Sequence, residues 1–141
     1  MKKIFAAALL LGAMTACGGA KESRELEGTT WKLVSMKGIP ASAIESEEDA
    51  FTLTFDPTEH LLAGRTNCNR FFGSYRLDEE RLTLGEMGMT RMACPDMEYE
   101  DVFVRMFDRV DAYRIDGERL TLLDGSETLA EFAAAGTPAD K

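Results

Sequence analysis

From Leu26 onward, apolar and polar residues alternate in short runs. Alternation of period two turns one face of a strand inward and the other to solvent. Trp31 and Leu33 flank Lys32. Phe51, Leu53 and Phe55 alternate with Thr52 and Thr54, and Asp56-Pro57 ends that run. Residues 61–66 predict a further strand. Phe71, Gly73, Tyr75 and Leu77 form one face of the next, and Leu82 and Leu84 follow an acidic turn at 78–80. Met87 and Met89 alternate with Gly88 and Thr90 as a separate short run. Tyr113 and Ile115 lead into Asp116-Gly117, a turn pair that tolerates positive φ, and then into Leu120 and Leu122. Asp124-Gly125 marks another turn before a last strand around 128–132.

One segment follows a different period. Tyr99, Val102, Phe103, Met106, Phe107 and Val110 recur at three and four residues, the stripe of an amphipathic helix. Pro95 suits its first turn, Asp96 and Glu98 complement the N-terminal dipole, and Asp101 and Arg105 form an i,i+4 pair. Residues 42–49 are polar and acidic and read as a loop. The pattern predicts a mostly β (α+β) domain, in which about eight short antiparallel strands form a small barrel-like sheet with one packed helix. Closure of such strands removes the sheet edges.

The first residues belong to another category and are set aside from the fold. Met1-Lys2-Lys3 is a basic start, and residues 4–14 are an apolar run rich in Ala and Leu. That run falls short of the roughly 20 apolar residues that span a bilayer. Met14-Thr15-Ala16-Cys17 resembles the lipobox cleaved by lipoprotein signal peptidase, with Met14 in the usual place of Leu. Residues 1–16 are therefore expected to be a signal peptide and Cys17 the site of lipidation. An ordinary secretory signal ending at Ala16 is the alternative. Two or more acyl chains on Cys17 give stable anchoring. Removal of the signal leaves 125 of the 141 residues, one domain by length. Lys2 and Lys3 leave with it, which takes the formal net charge from −9 to −11. Such an acidic chain argues against nucleic-acid partners and against adsorption to anionic lipid. Residues 17–25 read as the lipidated Cys and a flexible tether, 26–133 as the domain, and 134–141 as a disordered tail. Gly18, in place of an Asp after the lipidated Cys, favours the outer membrane in a two-membrane organism.

Cys68 and Cys94 are the remaining cysteines. Export places them in an oxidising compartment, where pairs form disulfides. A bridge between them closes a loop of about 27 residues and contributes roughly 3–4 kcal/mol in the chain-entropy account. A redox or metal pair is the alternative, although no Cys-x-x-Cys motif occurs. His60, the single histidine, follows Pro57-Thr58-Glu59 and reads as an exposed turn residue rather than a catalytic base. A zinc site of His60, Cys68 and Cys94 has no recognisable spacing. Glu45, Glu47, Glu48 and Asp49, and Asp78, Glu79 and Glu80, lie in turn-like runs and read as solvated faces rather than catalytic pairs. No calcium loop or phosphate loop is present, so neither metal nor cofactor is expected.

Two stretches stand apart. The first runs from Gly64 to Tyr75 and places Asn67 and Asn69 on either side of Cys68, where Asn side chains bond nearby backbone and stabilise turns. Gly64 and Gly73 there suit bulges or tight strand bends. The second is Thr90-Arg91-Met92-Ala93-Cys94-Pro95. At these stretches the chain resembles the META domain, or HslJ-like heat-shock lipoprotein, family. The carrying residues are Gly64, Cys68-Asn69-Arg70-Phe71, Gly73 and Tyr75, then Met89-Thr90-Arg91-Met92 with Cys94. Gly28, Trp31, Leu33 and Leu120-Thr121-Leu122 add support. The resemblance implies a compact antiparallel β domain with one helix, an envelope or secreted location, and a link to stress in some members. It implies no catalytic residues.

Asn69 and Arg91 are the candidate functional polar residues. In the plainer reading, Asn69 holds a turn and Arg91 satisfies groups inside the fold. The expected function is a non-enzymatic, monomeric envelope lipoprotein, held at the membrane through Cys17. It would bind an envelope protein or ligand, or support stress tolerance. Three other readings are a carrier of a small apolar ligand lined by Met36, Met87, Met89 and Met92, an inhibitor of an envelope enzyme such as a lysozyme, and a thiol redox protein using Cys68 and Cys94.

Overall fold

A computed structural model describes residues 23–135. Eight strands follow in chain order: β1 (Thr30–Met36), β2 (Thr52–Asp56), β3 (Leu61–Arg65), β4 (Arg70–Asp78), β5 (Arg81–Met89), β6 (Ala112–Asp116), β7 (Arg119–Asp124) and β8 (Glu127–Ala134). Each pairs antiparallel with the next, and β8 returns to β1, so the sheet closes into one barrel-like ring. Helix α1 (Ala41–Glu45) joins β1 to β2. Helix α2 (Met97–Arg105), continued by a 3₁₀ turn at Met106–Asp108, joins β5 to β6. This is the mostly β architecture with a packed amphipathic helix that the two periodicities predict.

The inward positions of the alternating strands make the core. Trp31, Leu33, Leu53, Phe55, Leu62, Leu82, Leu120, Leu122 and Phe132 fill the ring and are fully buried. Burying each such side chain contributes about 1.5–3 kcal/mol. The stripe on α2 closes one mouth of the ring. Phe103 stands edge-on to Phe51 at 5.3 Å and to Phe107 at 5.5 Å, and Phe107 lies 4.9 Å from Phe71. Offset aromatic pairs of this kind add to the area they bury. The Trp31 Nε1–H donates to the Leu26 carbonyl (3.0 Å), which ties the entering chain to β1.

Several local expectations change. The runs 82–84 and 87–89 are one strand. Gly73 pairs with Met87 and Tyr75 with Leu84, so β5 carries one extra residue there. That bulge shifts the alternation and makes one strand look like two. Gly73 permits it, because a Cβ would fall 2.4 Å from Met87 Sδ and 2.5 Å from the Glu86 carbonyl oxygen. Gly64 is tighter still, with a Cβ only 1.9 Å from the Thr52 carbonyl oxygen. Pro95 does not enter the helix. Asp96 takes a left-handed φ of 62° and α2 begins after it. Arg105 makes no ion pair with Asp101, whereas Arg109 pairs with Asp124 (3.1 Å) and Glu127 (2.5 Å).

The stretch 42–49 is not all loop, since it holds most of α1, too short to show a period. Lys32 Nζ caps that segment by donating to the carbonyls of Ile44 (2.9 Å), Glu47 (2.8 Å) and Ala50. Burial, ahead of its charged neighbours, holds the Lys32 ammonium below the usual lysine value. Of the expected tether, Ser23 and Arg24 are docked: Arg24 N–H donates to Gly117 O (2.9 Å) and Ser23 Oγ accepts from Gly117 N–H (3.2 Å). Of the expected tail, Ala134 is still in β8, and Ala135 N–H donates to Thr30 O (2.7 Å). Residues 1–22, with the signal peptide and Cys17, and residues 136–141 lie outside the described residues.

The up-and-down order sorts the connections between two ends of the ring. The turns 57–60, 79–80 and 117–118 share one end with Ser23, Arg24 and Ala135. Helix α1, the 66–69 turn, the whole 90–111 connection and the 125–126 turn lie at the other.

Candidate functional site

The two stretches singled out in the sequence meet at the helical end. Cys68, in the turn between β3 and β4, and Cys94, ahead of α2, form a disulfide with their Cα atoms 5.9 Å apart. The redox and zinc alternatives for this pair therefore have no free thiols in this state. Among the described residues, no three His, Cys, Asp or Glu side chains gather as a metal site.

A buried polar knot lies beneath the disulfide. Thr66 Oγ1 accepts from the N–H groups of Cys68 (3.0 Å) and Asn69 (2.8 Å), which shapes the turn, and donates to Glu100 Oε1 (2.6 Å). Asn69 Nδ2 donates to both oxygens of Glu100 (2.9 and 3.2 Å) and to the Met92 carbonyl (3.2 Å). Asn69 Oδ1 accepts from Thr90 Oγ1 (2.9 Å) and from Met92 N–H (2.7 Å). Thr66, Asn69 and Glu100 are each at most 2 % exposed. Removed from water, such groups need this degree of mutual satisfaction. Asn69 thus bonds a distant segment and a helix rather than its own turn. The turn is held by Thr66.

Arg91 does not lie inside the fold, as its plainer reading has it. It is exposed and makes no ion pair or hydrogen bond among the described residues. The backbone of Met92, in the segment after β5, is held at both its N–H and its carbonyl by Asn69. Met92 is 56 % exposed. Of the other methionines weighed as a ligand lining, Met36, Met87 and Met89 pack against the core and are half-buried. Trp31, Phe55, Phe132 and their neighbours occupy the space inside the ring that an enclosed apolar ligand would take.

A surface cleft of about 520 Å³ opens beside the disulfide, between α1 and α2, lined in part by Ser42, Arg65, Asn67, Pro95 and Tyr99. Asn67 Nδ2 donates to Asp96 O (3.0 Å), while its buried Oδ1 has no hydrogen-bond partner among the described residues. Arg65 is taken up by Glu47 (2.9 Å) and Asp49 (2.5 Å). His60 is exposed in the 57–60 turn at φ 55°, remote from both cysteines in the topology. The acidic residues 45, 47–49 and 78–80 are all exposed, as solvated faces are. At the opposite end, Tyr75 donates its phenol to Glu27. Burial first, then that bond, raises the Tyr75 phenol above its ordinary value, and burial followed by Glu80 does the same at Tyr113.

Sequence reasoning missed Thr66 and Glu100. A signal for Glu100 exists: it stands three residues before Phe103, on the stripe that faces the core. A carboxylate there needs partners of its own. What the sequence lacks is any mark that the partner is Asn69.

Among curated proteins, none matches the chain. Several solved structures share the fold. An NMR structure of a protein from Burkholderia xenovorans is 25% identical, with a TM-score of 0.61 over 79% of this chain and 84% of that one. A second NMR structure is 24% identical, with a TM-score of 0.57 over 76% and 89% of the two chains. The crystal structure of a DUF4847 family protein from Bacteroides vulgatus ATCC 8482 is 18% identical, with a TM-score of 0.55 over 77% and 93%. At the sequence level, the META domain matches residues 24–136, which takes in the whole ring, both helices and the disulfide. The chain belongs to the META domain family.

Proposed function

We propose that this chain is a non-enzymatic, monomeric cell-envelope lipoprotein, anchored through Cys17. In this reading its helical, disulfide-bonded end recognises another envelope component and so supports envelope stress tolerance. The observation that carries the binding role is the division of labour at that end. Asn69, Thr66 and Glu100 are occupied by one another and by backbone, whereas Arg91 and Met92 are exposed on the segment after β5, whose backbone Asn69 bonds at Met92. Exposed groups on a held backbone meet a partner with less ordering cost, which supports the binding role.

The anchor and location rest on the sequence. The lipobox-like Met14-Thr15-Ala16-Cys17 supports lipidation, Gly18 supports the outer membrane, and a disulfide suits an exported protein. The docked Ser23 and Arg24 add an orientation. They enter at the end with the 117–118 turn, opposite the disulfide, which supports a disulfide end turned away from the bilayer. The acidic charge weighs against nucleic acid.

Radiolabelled palmitate incorporation and membrane fractionation test the anchor: the native chain is expected to label and to sediment with membranes, and Cys17→Ser to abolish the labelling. A photo-crosslinking residue tests the partner. Placed at position 91 in living cells it is expected to capture one discrete envelope protein, and placed at position 117 it is not. Equal capture from both positions contradicts the binding role. Turnover of a defined substrate by purified protein, lost on substitution of Asn69 in folded protein, contradicts the non-enzymatic reading.

A further inference from the structure

The described methionines do not all serve the core. Met89, Met92 and Met97 line one surface cavity of about 180 Å³, together with Asn69, Arg91 and Glu100. Met89 ends β5, Met92 follows it, and Met97 opens α2, so the fold brings three methionines to the wall of one cavity. A methionine used as filler is buried, yet Met92 is 56 % exposed. Nor is it on a mobile loop. Its N–H is held by Asn69 Oδ1 at 2.7 Å and its carbonyl by Asn69 Nδ2 at 3.2 Å, and Cys94, two residues on, is covalently tied to Cys68.

We propose that Met89, Met92 and Met97 form a binding site for a soft monovalent cation, Cu(I). Thioether sulfur is neutral, polarizable and carries no proton, which selects soft ions over Zn²⁺, Mg²⁺ or Ca²⁺. The cavity exceeds the roughly 30 Å³ that one water occupies in the liquid, so it has room for an ion. Glu100 and Arg91 both line the cavity, and the Glu100 carboxylate is already bonded to Thr66 and Asn69. The polar knot acts as the outer support, because Asn69 fixes the Met92 backbone and its partner Glu100 lies on the helix that carries Met97. The site stands whether or not Cys17 is lipidated.

Ag(I) serves as the redox-inert probe, in chloride-free buffer, on the full chain with its disulfide intact and its methionine methyl groups carbon-13 labelled. One equivalent is expected to shift the methyl signals of Met89, Met92 and Met97 and to leave Met36 and Met106 in place. Because no ligand has to lose a proton, the affinity is expected to be unchanged between about pH 5 and pH 7, unlike a site of imidazole or thiolate. Met92→Leu and Met97→Leu, which keep side-chain volume, are expected to weaken binding about tenfold or more each, and Met36→Leu to change nothing. Cu(I), supplied anaerobically, is expected to compete with Ag(I) for the same signals. The proposal is overturned if Ag(I) moves none of the three methyl groups. It is equally overturned if Met36 responds as they do, or if affinity falls steeply toward pH 5.

Discussion

Replacing Asn69 by alanine removes a side chain that makes five hydrogen bonds to Glu100, Thr90 and Met92. The loss is uneven. Met92 is exposed, so water can reach its freed N–H and carbonyl. Glu100 is 2 % exposed and keeps only Thr66 as a partner. A buried group left unsatisfied costs about 1–3 kcal/mol, and more when it is charged. The substitution is therefore expected to cost about 3–5 kcal/mol, out of a total near 5–15 kcal/mol for a domain of this kind. Tm is expected to fall by roughly 10–20 °C. Urea denaturation of the purified chain, followed by far-ultraviolet circular dichroism, gives the free energy directly. The decisive comparison is the double variant with Glu100→Ala. Each single change orphans the other residue, so the pair is expected to cost at least about 1 kcal/mol less than the sum. Arg91→Ala, at an exposed site without partners, is expected to stay within about 0.5 kcal/mol. If Asn69→Ala costs under about 1 kcal/mol and adds fully to Glu100→Ala, the buried knot does not hold this end together.

Cys68→Ala with Cys94→Ala is expected to lower stability by roughly 3–4 kcal/mol, and reduction of the native chain to do the same in denaturant titrations. Gly64→Ala drives a Cβ to within 1.9 Å of the Thr52 carbonyl oxygen, so it is expected to cost at least about 3 kcal/mol and to deplete folded protein on size-exclusion chromatography. A normal yield and melting curve for that variant would contradict the β2–β3 register. The Tyr75 phenol titrates above its ordinary 10.0 when folded, so the unfolded chain releases that proton first. Its contribution is fully present below pH 10 and is lost as pH rises through the folded value. The native chain is expected to lose stability above pH 10 more steeply than Tyr75→Phe, and parallel curves would show that the bond to Glu27 is absent.

Much of this fold is readable without coordinates. Strand and helix periods depend on which residues face a core, and Trp31, Leu53, Phe55, Phe103 and Phe107 announce those faces one after another. The Asp116-Gly117 and Asp124-Gly125 turns are equally local, and both glycines do take positive φ, 60° and 57°. The failures have physical causes too. The bulge opposite Gly73 breaks the phase of β5, so one strand reads as two. Asp96 turns left-handed and keeps Pro95 out of the helix.

The sequence by itself determined the class of the domain, its single helix stripe and the two cysteine-bearing stretches, because each depends on neighbours along the chain. Only the tertiary structure decided what those stretches do. Asn69 is bound to Glu100, 31 positions away, and to Met92, 23 positions away. No local pattern encodes such a pairing, since it exists only when β4, β5 and α2 have closed around the same mouth of the ring. That closure makes Asn69 a buried support and leaves Arg91 in water. It also gathers Met89, Met92 and Met97 around one cavity.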